Sequence, residues 1–231
     1  MNNPAATVNN PAPIGNSTGS KVNSAAPIVH CLFYTHPWAI DALRHAKLGD
    51  LGQSLLVELA QQSQLASLID AQHHLRPGVT GILRDPNHLD RLIVSEPRFP
   101  MSVILAPNPP VPDATMCSAI ALLPSVRSKF NRFFVFVHLS EALNFRYAYP
   151  YCDRFSFLWD IADPRMFKMG ELGVMLRDLG VLNRESWGGF FWFNHPRRHV
   201  SNLDARLTEL RQIMGQVKKP PTPAPAIGSS T

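Results

Sequence analysis

The spacing of apolar residues along the chain predicts mostly helices. Between Leu51 and Ala71, most leucines and the isoleucine have a neighbour three or four positions away, which predicts one long amphipathic helix. Similar spacing predicts helices over Pro37–Leu48, Ala114–Leu123 and Pro164–Leu179, and a last helix over Ser201–Val217. We therefore expect a mainly α fold.

Two segments of the first half give weaker signals. Ile28–Tyr34 is a short apolar stretch of the kind found in a strand or in an extended arm. The segment from Leu75 to Pro112 contains eight prolines, which exclude long regular elements. There we expect only a short helix at Asn87–Val94 and an extended piece at Met101–Leu105.

In the second half, the pattern over Val126–Tyr147 fits two structures. Phe133–Val137 is aromatic and β-branched, which favours a strand. The apolar positions also keep helical spacing, and the Ser-Glu-Ala-Leu run that follows prefers a helix. We interpret the segment as a helix. A further helix is predicted over Arg154–Ile161, and a short helix or turn over Asn183–Phe193.

Both ends of the chain differ from its middle in composition. Residues 1–27 and 220–231 consist mainly of Asn, Pro, Ala, Ser, Thr and Gly, so they bury too little apolar surface to offset the entropy of ordering. We expect disordered arms around a single domain at 28–219, with 28–112 and 113–219 as its possible lobes. There is no apolar run of membrane-spanning length and no signal-peptide pattern, which predicts a cytoplasmic or virion protein that does not bind membranes.

The formal net charge of +5 is concentrated in two blocks. Residues 126–154 carry five Lys or Arg against two acidic residues, and residues 197–231 carry six against two. The rest of the chain is slightly acidic. Clustered positive charge attracts phosphate backbones, although it is also found on the solvated faces of ordinary proteins.

The first basic block coincides with most of the aromatic residues. Residues 127–159 contain three of the four tyrosines and seven of the thirteen phenylalanines. Aromatic rings stack on bases while guanidinium groups contact phosphates, so this composition predicts a single-strand nucleic-acid surface. A buried core with basic edges has the same composition, and that alternative stays open. The predicted nucleic-acid-binding residues are Arg127, Lys129, Arg132, Arg146, Arg154, Arg197 and Arg198.

Other chemistry has little support in the sequence. Nine histidines and three cysteines include no HExxH motif and no CxxC pair, so no metal is expected. Cys152 with His138 upstream is a pairing that chance alone supplies. GxSxG, GxGxxG and the phosphate-binding loop GxxxxGK[ST] are all missing. We therefore expect neither a cofactor nor enzymatic activity.

In layout, the chain resembles the coat and nucleocapsid proteins of RNA viruses with filamentous or non-enveloped particles. Flexible Asn/Pro/Ala/Ser arms, a predicted helical body and basic blocks carry this resemblance. It implies a homo-oligomer that coats RNA without sequence specificity. Two other functions remain open: an adaptor or assembly factor that binds proteins without nucleic acid, and an enzyme of unrecognised type.

Overall fold

The computed structural model describes residues 27–43, 53–97, 99–126, 129–160, 163, 166–193, 208 and 212. The strands are β1 (Ile28–Tyr34), β2 (Ser54–Leu59), β3 (Ser102–Ile104), β4 (Arg132–His138), β5 (Arg154–Asp160) and β6 (Trp187–Phe193). The helices are α1 (Ala39–Ala42), α2 (Asp113–Leu122) and α3 (Met166–Asp178), with several short 3-10 turns between them. The six strands form one parallel sheet in the order β3-β2-β4-β1-β5-β6.

The central strands are covered on both faces. In β4, five consecutive residues from Phe133 to Val137 are buried, and in β1 every residue after Ile28 is buried. Strands of parallel sheets commonly read as continuous apolar runs for this reason. On one face the sheet packs against α2, α3 and the turn at Gly78–Leu83. On the other face it packs against α1 and the turn at Leu65–Ile69.

The prediction of a mainly α fold is wrong. The predicted helix at Leu51–Ala71 contains β2 and a 3-10 turn, and those at Val126–Tyr147 and Arg154–Ile161 contain β4 and β5. Asn183–Phe193 contains β6 rather than a short helix or turn. In an unbroken apolar run, some positions always match helical spacing, so periodicity cannot separate a buried strand from a buried helix.

Several local predictions are confirmed. Met101–Leu105 contains β3, the helix predicted at Ala114–Leu123 is α2, which begins one residue earlier, and Pro164–Leu179 contains α3. Ile28–Tyr34 is a strand, which was one of the two structures considered for it. The short helix expected at Asn87–Val94 is a 3-10 turn over Pro86–Leu92.

Other predictions fall wholly or mostly outside the described residues. The two arms lie outside them, as does the last helix except for Thr208 and Gln212. Of the helix predicted over Pro37–Leu48, only the four residues of α1 are described as helical. The domain limits and lobes stay predictions. In the part of the chain that is described, no helix has the length and apolar character needed to cross a bilayer.

Candidate binding site at the carboxyl edge of the sheet

The structure places the predicted nucleic-acid-binding residues in different parts of the fold. Arg132 begins β4 and Arg154 begins β5, so both lie at the amino edge of the sheet, on either side of β1. Arg146 lies in the connection between these two strands. Lys129 precedes β4 and pairs with Asp90 at 3.5 Å. Arg127, Arg197 and Arg198 are outside the described residues.

Most rings of the aromatic segment are in the core. Phe133, Phe134 and Phe136 of β4 and Phe155, Phe157 and Trp159 of β5 have no exposed surface. Tyr147 and Tyr151 are exposed, and Arg146 stacks on Tyr147 at 4.9 Å from the ring centroid. Buried rings cannot stack on bases. For most of its rings, this segment is therefore the buried core that the sequence left open, and not a nucleic-acid surface.

Between the two strand-initial arginines lies a buried polar pair. His30 of β1 is 4% exposed, and its Nε2 lies 2.8 Å from the Ser156 hydroxyl of β5. Burial, together with the smaller effects of the charges of Arg132 and Arg154, lowers the pKa of His30 to about 3. The imidazole is therefore neutral at physiological pH. No motif in the sequence indicated this pair.

Replacing Gly188 by alanine is expected to lower the free energy of unfolding by about 1–3 kcal/mol. A Cβ at this position would lie 2.7 Å from His30 Nε2 and would also meet the Ser156 hydroxyl. Urea denaturation of both proteins measures the difference. When Ser156→Ala is added, the combined loss should be smaller than the sum of the single losses, because the obstructing hydroxyl is gone. Simple additivity would contradict this steric explanation.

The opposite edge of the sheet contains the topological switch point. In the sheet, β4 and β2 lie on one side of β1, and β5 lies on its other side. The chain therefore runs from β1 towards one side to reach β2, but from β4 towards the opposite side to reach β5. In open α/β sheets, ligands bind in the crevice beyond the carboxyl ends of strands whose connections diverge in this way. Here those ends are Tyr34 of β1 and His138 of β4, which are register partners.

Hydrogen bonds join the strand ends at the switch point. His138 Nε2 lies 3.1 Å from the Thr35 carbonyl oxygen, and its Nδ1 lies 2.6 Å from the Ser140 hydroxyl. On the other side of β1, the Asp160 amide at the end of β5 donates to the Thr35 hydroxyl at 3.1 Å. These bonds fix the conformation of Thr35, the first residue after β1.

The connection from β1 to α1 differs from a phosphate-binding loop. That loop needs glycines, whose exposed backbone N–H groups surround the phosphates, followed by Lys and Ser or Thr. Here the connection is Thr35-His36-Pro37-Trp38, which contains no glycine or lysine, and Pro37 has no N–H group. It closes as a turn in which the Ala39 amide donates to the His36 carbonyl at 2.9 Å. Trp38 is 42% exposed beside the crevice.

A buried carboxylate organises the end of β2. Glu58 is fully buried, and its oxygens accept hydrogen bonds from the amides of Gln64, Leu65 and Ala106 and from the Ser63 hydroxyl. A carboxylate has about four acceptor sites, so these donors occupy them all. Burial raises the pKa of Glu58, whereas the four hydrogen bonds act to lower it.

Two further carboxylates lie beside Glu58 at this edge. The Gln61 amide donates to Glu141 Oε2 at 3.1 Å, and the Gln61 side-chain amide donates to Asp113 Oδ1 and to the Val111 carbonyl. Burial raises the pKa of Glu141, and the charges of Glu58 and Asp113 raise it further. We call Glu58, Asp113 and Glu141 the carboxylate cluster.

Sequence reasoning did not find the carboxylate cluster. Asp113 is the first residue of α2, and its carboxylate accepts a hydrogen bond from the Gln61 side chain. Glu58 could have been noticed as a lone charge within the apolar run Ser54–Leu59. Nothing in the sequence indicated that Glu141 would approach it. Within the described residues, no group of His, Cys, Asp and Glu has the arrangement needed for a metal ion.

Comparisons with known proteins give similarity in fold alone. No protein-family model and no curated protein sequence matches the chain. The VpsO kinase domain matches with a TM-score of 0.51 and 15% identity, over 73% of this chain and 85% of that one. A ParA family ATPase from Chlorobium tepidum has a TM-score of 0.49 and 12% identity, over 84% of this chain and 82% of that one.

These findings correct the predicted function. The resemblance to helical coat and nucleocapsid proteins depended on a mainly helical body, whereas the chain forms a parallel α/β sheet like that of a kinase domain. The prediction of a coat-like RNA-binding protein, and of a virion protein, is therefore wrong. The class supported by the fold is the α/β proteins with a switch-point crevice.

Proposed function

We propose that the chain is a protein-binding member of its α/β fold that neither binds nor hydrolyses nucleoside triphosphates through a phosphate loop. The observation that supports this is the connection from β1 to α1. Without glycine, it cannot bring several backbone N–H groups close to a triphosphate. The adjacent carboxylates would also repel phosphate oxygens.

A surface that binds proteins needs different groups from a phosphate site. At the switch point the chain presents Trp38, which is 42% exposed, beside the half-buried His36. Tryptophan is enriched among the residues that contribute most to protein interfaces. The proposed partner is a protein, and a second copy of the chain is one form of it. Three unpaired buried cysteines support a reducing compartment such as the cytoplasm.

The second candidate is a nucleotide-binding enzyme that holds its substrate by other contacts. The fold shared with a kinase domain favours it. The two candidates differ in one measurable property, since only the second requires saturable binding of a nucleotide.

Incubating the full chain with Mg²⁺ and a fluorescent ATP or GTP analogue is expected to produce no saturable binding up to about 1 mM, the upper end of usual KM values. Phosphate release should equal that of buffer, because the described connection from β1 to α1 contains no glycine or lysine to hold the triphosphate. A phosphate-loop ATPase measured in parallel shows that the assay works. Saturable binding, displaced by unlabelled nucleotide, would reject the proposal and favour the enzyme.

A further inference from the structure

Arg132, His30 and Arg154 lie on one face of the sheet, at its amino edge. His30 of β1 is the register partner of Phe134 on β4 and of Arg154 on β5. Arg132 lies two residues before Phe134 on β4, and side chains two positions apart on a strand point to the same face. That face is the one that packs against α1, because it includes Phe134.

Contacts with Phe134 bring the first two of these groups together. The ring centroids of His30 and Phe134 lie 5.5 Å apart, and the guanidinium carbon of Arg132 lies over the same Phe134 ring, 5.7 Å from its centroid. Arg154 lies on the other side of His30, on a strand whose backbone is about 4.8 Å away. The imidazole of His30 is therefore flanked by a half-buried arginine, Arg132, and an exposed one, Arg154.

The charge of these two arginines is not neutralised by the described residues. In that part of the chain, neither the Arg132 nor the Arg154 guanidinium forms an ion pair or a hydrogen bond. Asp153 is the acidic residue adjacent to Arg154 in the chain, but its carboxylate accepts a hydrogen bond from the Val29 amide at 2.7 Å. Two positive charges therefore remain available to a bound anion.

The hydrogen bond to Ser156 determines which nitrogen of His30 carries the ring proton. Ser156 is fully buried, and the partner of its hydroxyl is His30 Nε2 at 2.8 Å. Because a buried hydroxyl needs an acceptor for its proton, we assign the hydroxyl as the donor and Nε2 as the acceptor. A neutral imidazole has one N–H group, which is then at Nδ1. His30 is only 4% exposed, yet no acceptor among the described residues contacts Nδ1.

The Nδ1–H group of His30 faces the arginine side of the ring. Ser156 lies two residues beyond Arg154, towards the carboxyl edge of the sheet. A Cβ at Gly188 of β6 would lie 3.1 Å from His30 Cε1, so the far end of the ring extends over β5 between Arg154 and Ser156. Nε2 is directed to Ser156, and the two nitrogens lie on opposite sides of an imidazole. Nδ1 is therefore directed towards Arg154.

We propose that Arg132, His30 and Arg154 form a binding site for a carboxylate, which we call the amino-edge site. The three side chains offer N–H donors and two positive charges, whereas an ionised carboxylate has two oxygens that only accept. The planar fork of a guanidinium matches a carboxylate with two parallel hydrogen bonds. The Nδ1–H of His30 would then gain the acceptor that the described residues do not provide.

An exposed apolar residue beside the amino-edge site favours a peptide as the source of the carboxylate. Ile28 is the register partner of Arg132, lies on the same face and is 36% exposed. An acidic peptide segment can place an apolar side chain on Ile28 while its carboxylate meets the arginines, which inorganic phosphate cannot do. The inference deepens the proposed function and rests on it: the source is an acidic segment of the protein partner.

The test uses the full chain and two peptides with blocked ends, which carry Glu-Leu-Glu or Gln-Leu-Gln between glycines. Calorimetric titration is expected to detect the acidic peptide and not the neutral one, and added salt should weaken the binding. Arg132→Gln and Arg154→Gln should each lower the affinity about fivefold, because each removes a charge-assisted contact. Arg84→Gln is the matched control, since it removes an exposed positive charge at the end of the turn Gly78–Leu83, on the opposite face of the sheet. Its affinity should equal that of the wild type.

Nitrogen NMR of the imidazole tests the role of His30 separately. The His30 signals are identified by their absence from the spectrum of His30→Gln. We expect the proton on Nδ1 in the free protein, and a change in the Nδ1 resonance when the acidic peptide is added. A proton on Nε2, or an Nδ1 resonance that the peptide leaves unchanged, would overturn the site.

The titrations can contradict the amino-edge site without touching the proposed function. Equal affinity in Arg154→Gln and Arg84→Gln would overturn the site, as would no binding of the acidic peptide. Tighter binding of inorganic phosphate than of the acidic peptide would reject a peptide carboxylate as the ligand. The proposed function fails by another result, since saturable ATP binding that persists in Arg154→Gln would reject it and leave the amino-edge site to be judged by these titrations.

Discussion

Replacing Glu58 by alanine is expected to lower the free energy of unfolding by about 4 kcal/mol or more. The substitution leaves three backbone amides and the Ser63 hydroxyl without their acceptor, in a region that is buried from solvent. Each unsatisfied buried donor costs about 1–3 kcal/mol. Urea denaturation followed by tryptophan fluorescence measures the change.

The size of the loss depends on which acceptor remains. Glu58→Gln keeps one oxygen, which can still accept from Gln64 and Leu65, so its loss should be intermediate. Glu171→Ala removes an exposed carboxylate from α3 and should change stability by less than about 0.5 kcal/mol. A Glu58→Ala protein as stable as Glu171→Ala would show that the buried carboxylate does not organise this edge.

Acidification from pH 7 to pH 4.5 is expected to remove about 2.5 kcal/mol of stability through His30. The pKa of His30 is about 3 in the folded chain against 6.5 for an ordinary histidine, so the unfolded chain binds the proton more readily. Stability from this residue is therefore complete above pH 6.5 and is lost as the pH falls towards 3. Denaturation midpoints measured at several pH values test the slope.

The comparison with His30→Gln isolates the histidine. Glutamine cannot take up a proton but can still hydrogen-bond Ser156. Glu58 and Glu141 have raised pKa values, so their contributions change in the opposite direction and decrease as the pH rises above 4.5. They are present in both proteins and cancel in the difference. If the stability of the wild type and that of His30→Gln changed with pH in the same way, the lowered pKa of His30 would be contradicted.

Elements with strong end signals or clear amphipathic spacing could be predicted from the sequence. α3 follows a Pro and ends before Gly180, which has the positive φ of 71° expected at a helix stop. α2 follows a run of prolines that prevents an earlier start. Such signals are local, because a cap or a stop depends on a few neighbouring residues.

The central strands could not be predicted in the same way. β4 and β5 are apolar at nearly every position, and a parallel strand has its hydrogen-bond partners far away along the chain. Phe133, for example, pairs with Val29 and Leu55. Since no hairpin turn joins these strands, no local signal identifies them as strands.

The function was mistaken for a related reason. Interleaved arginines and aromatic residues suggested a nucleic-acid surface, but strand alternation and burial on both faces place most of the rings inside. The arginines at the strand starts remain at the amino edge of the sheet. Composition alone therefore showed which residue types the segment contains, but not which of their side chains face the core.

By itself, the sequence determined what this chain lacks and where its best-delimited helices lie. It has no phosphate-binding loop motif and no paired cysteine motif, and these absences hold in any fold. Only the tertiary structure decided that Gln61 contacts both Asp113 and Glu141 at one edge, although the three residues are far apart in the chain. The physical reason is that a parallel sheet collects the carboxyl ends of strands from distant parts of the chain, and the strand order that does so depends on packing of the whole domain.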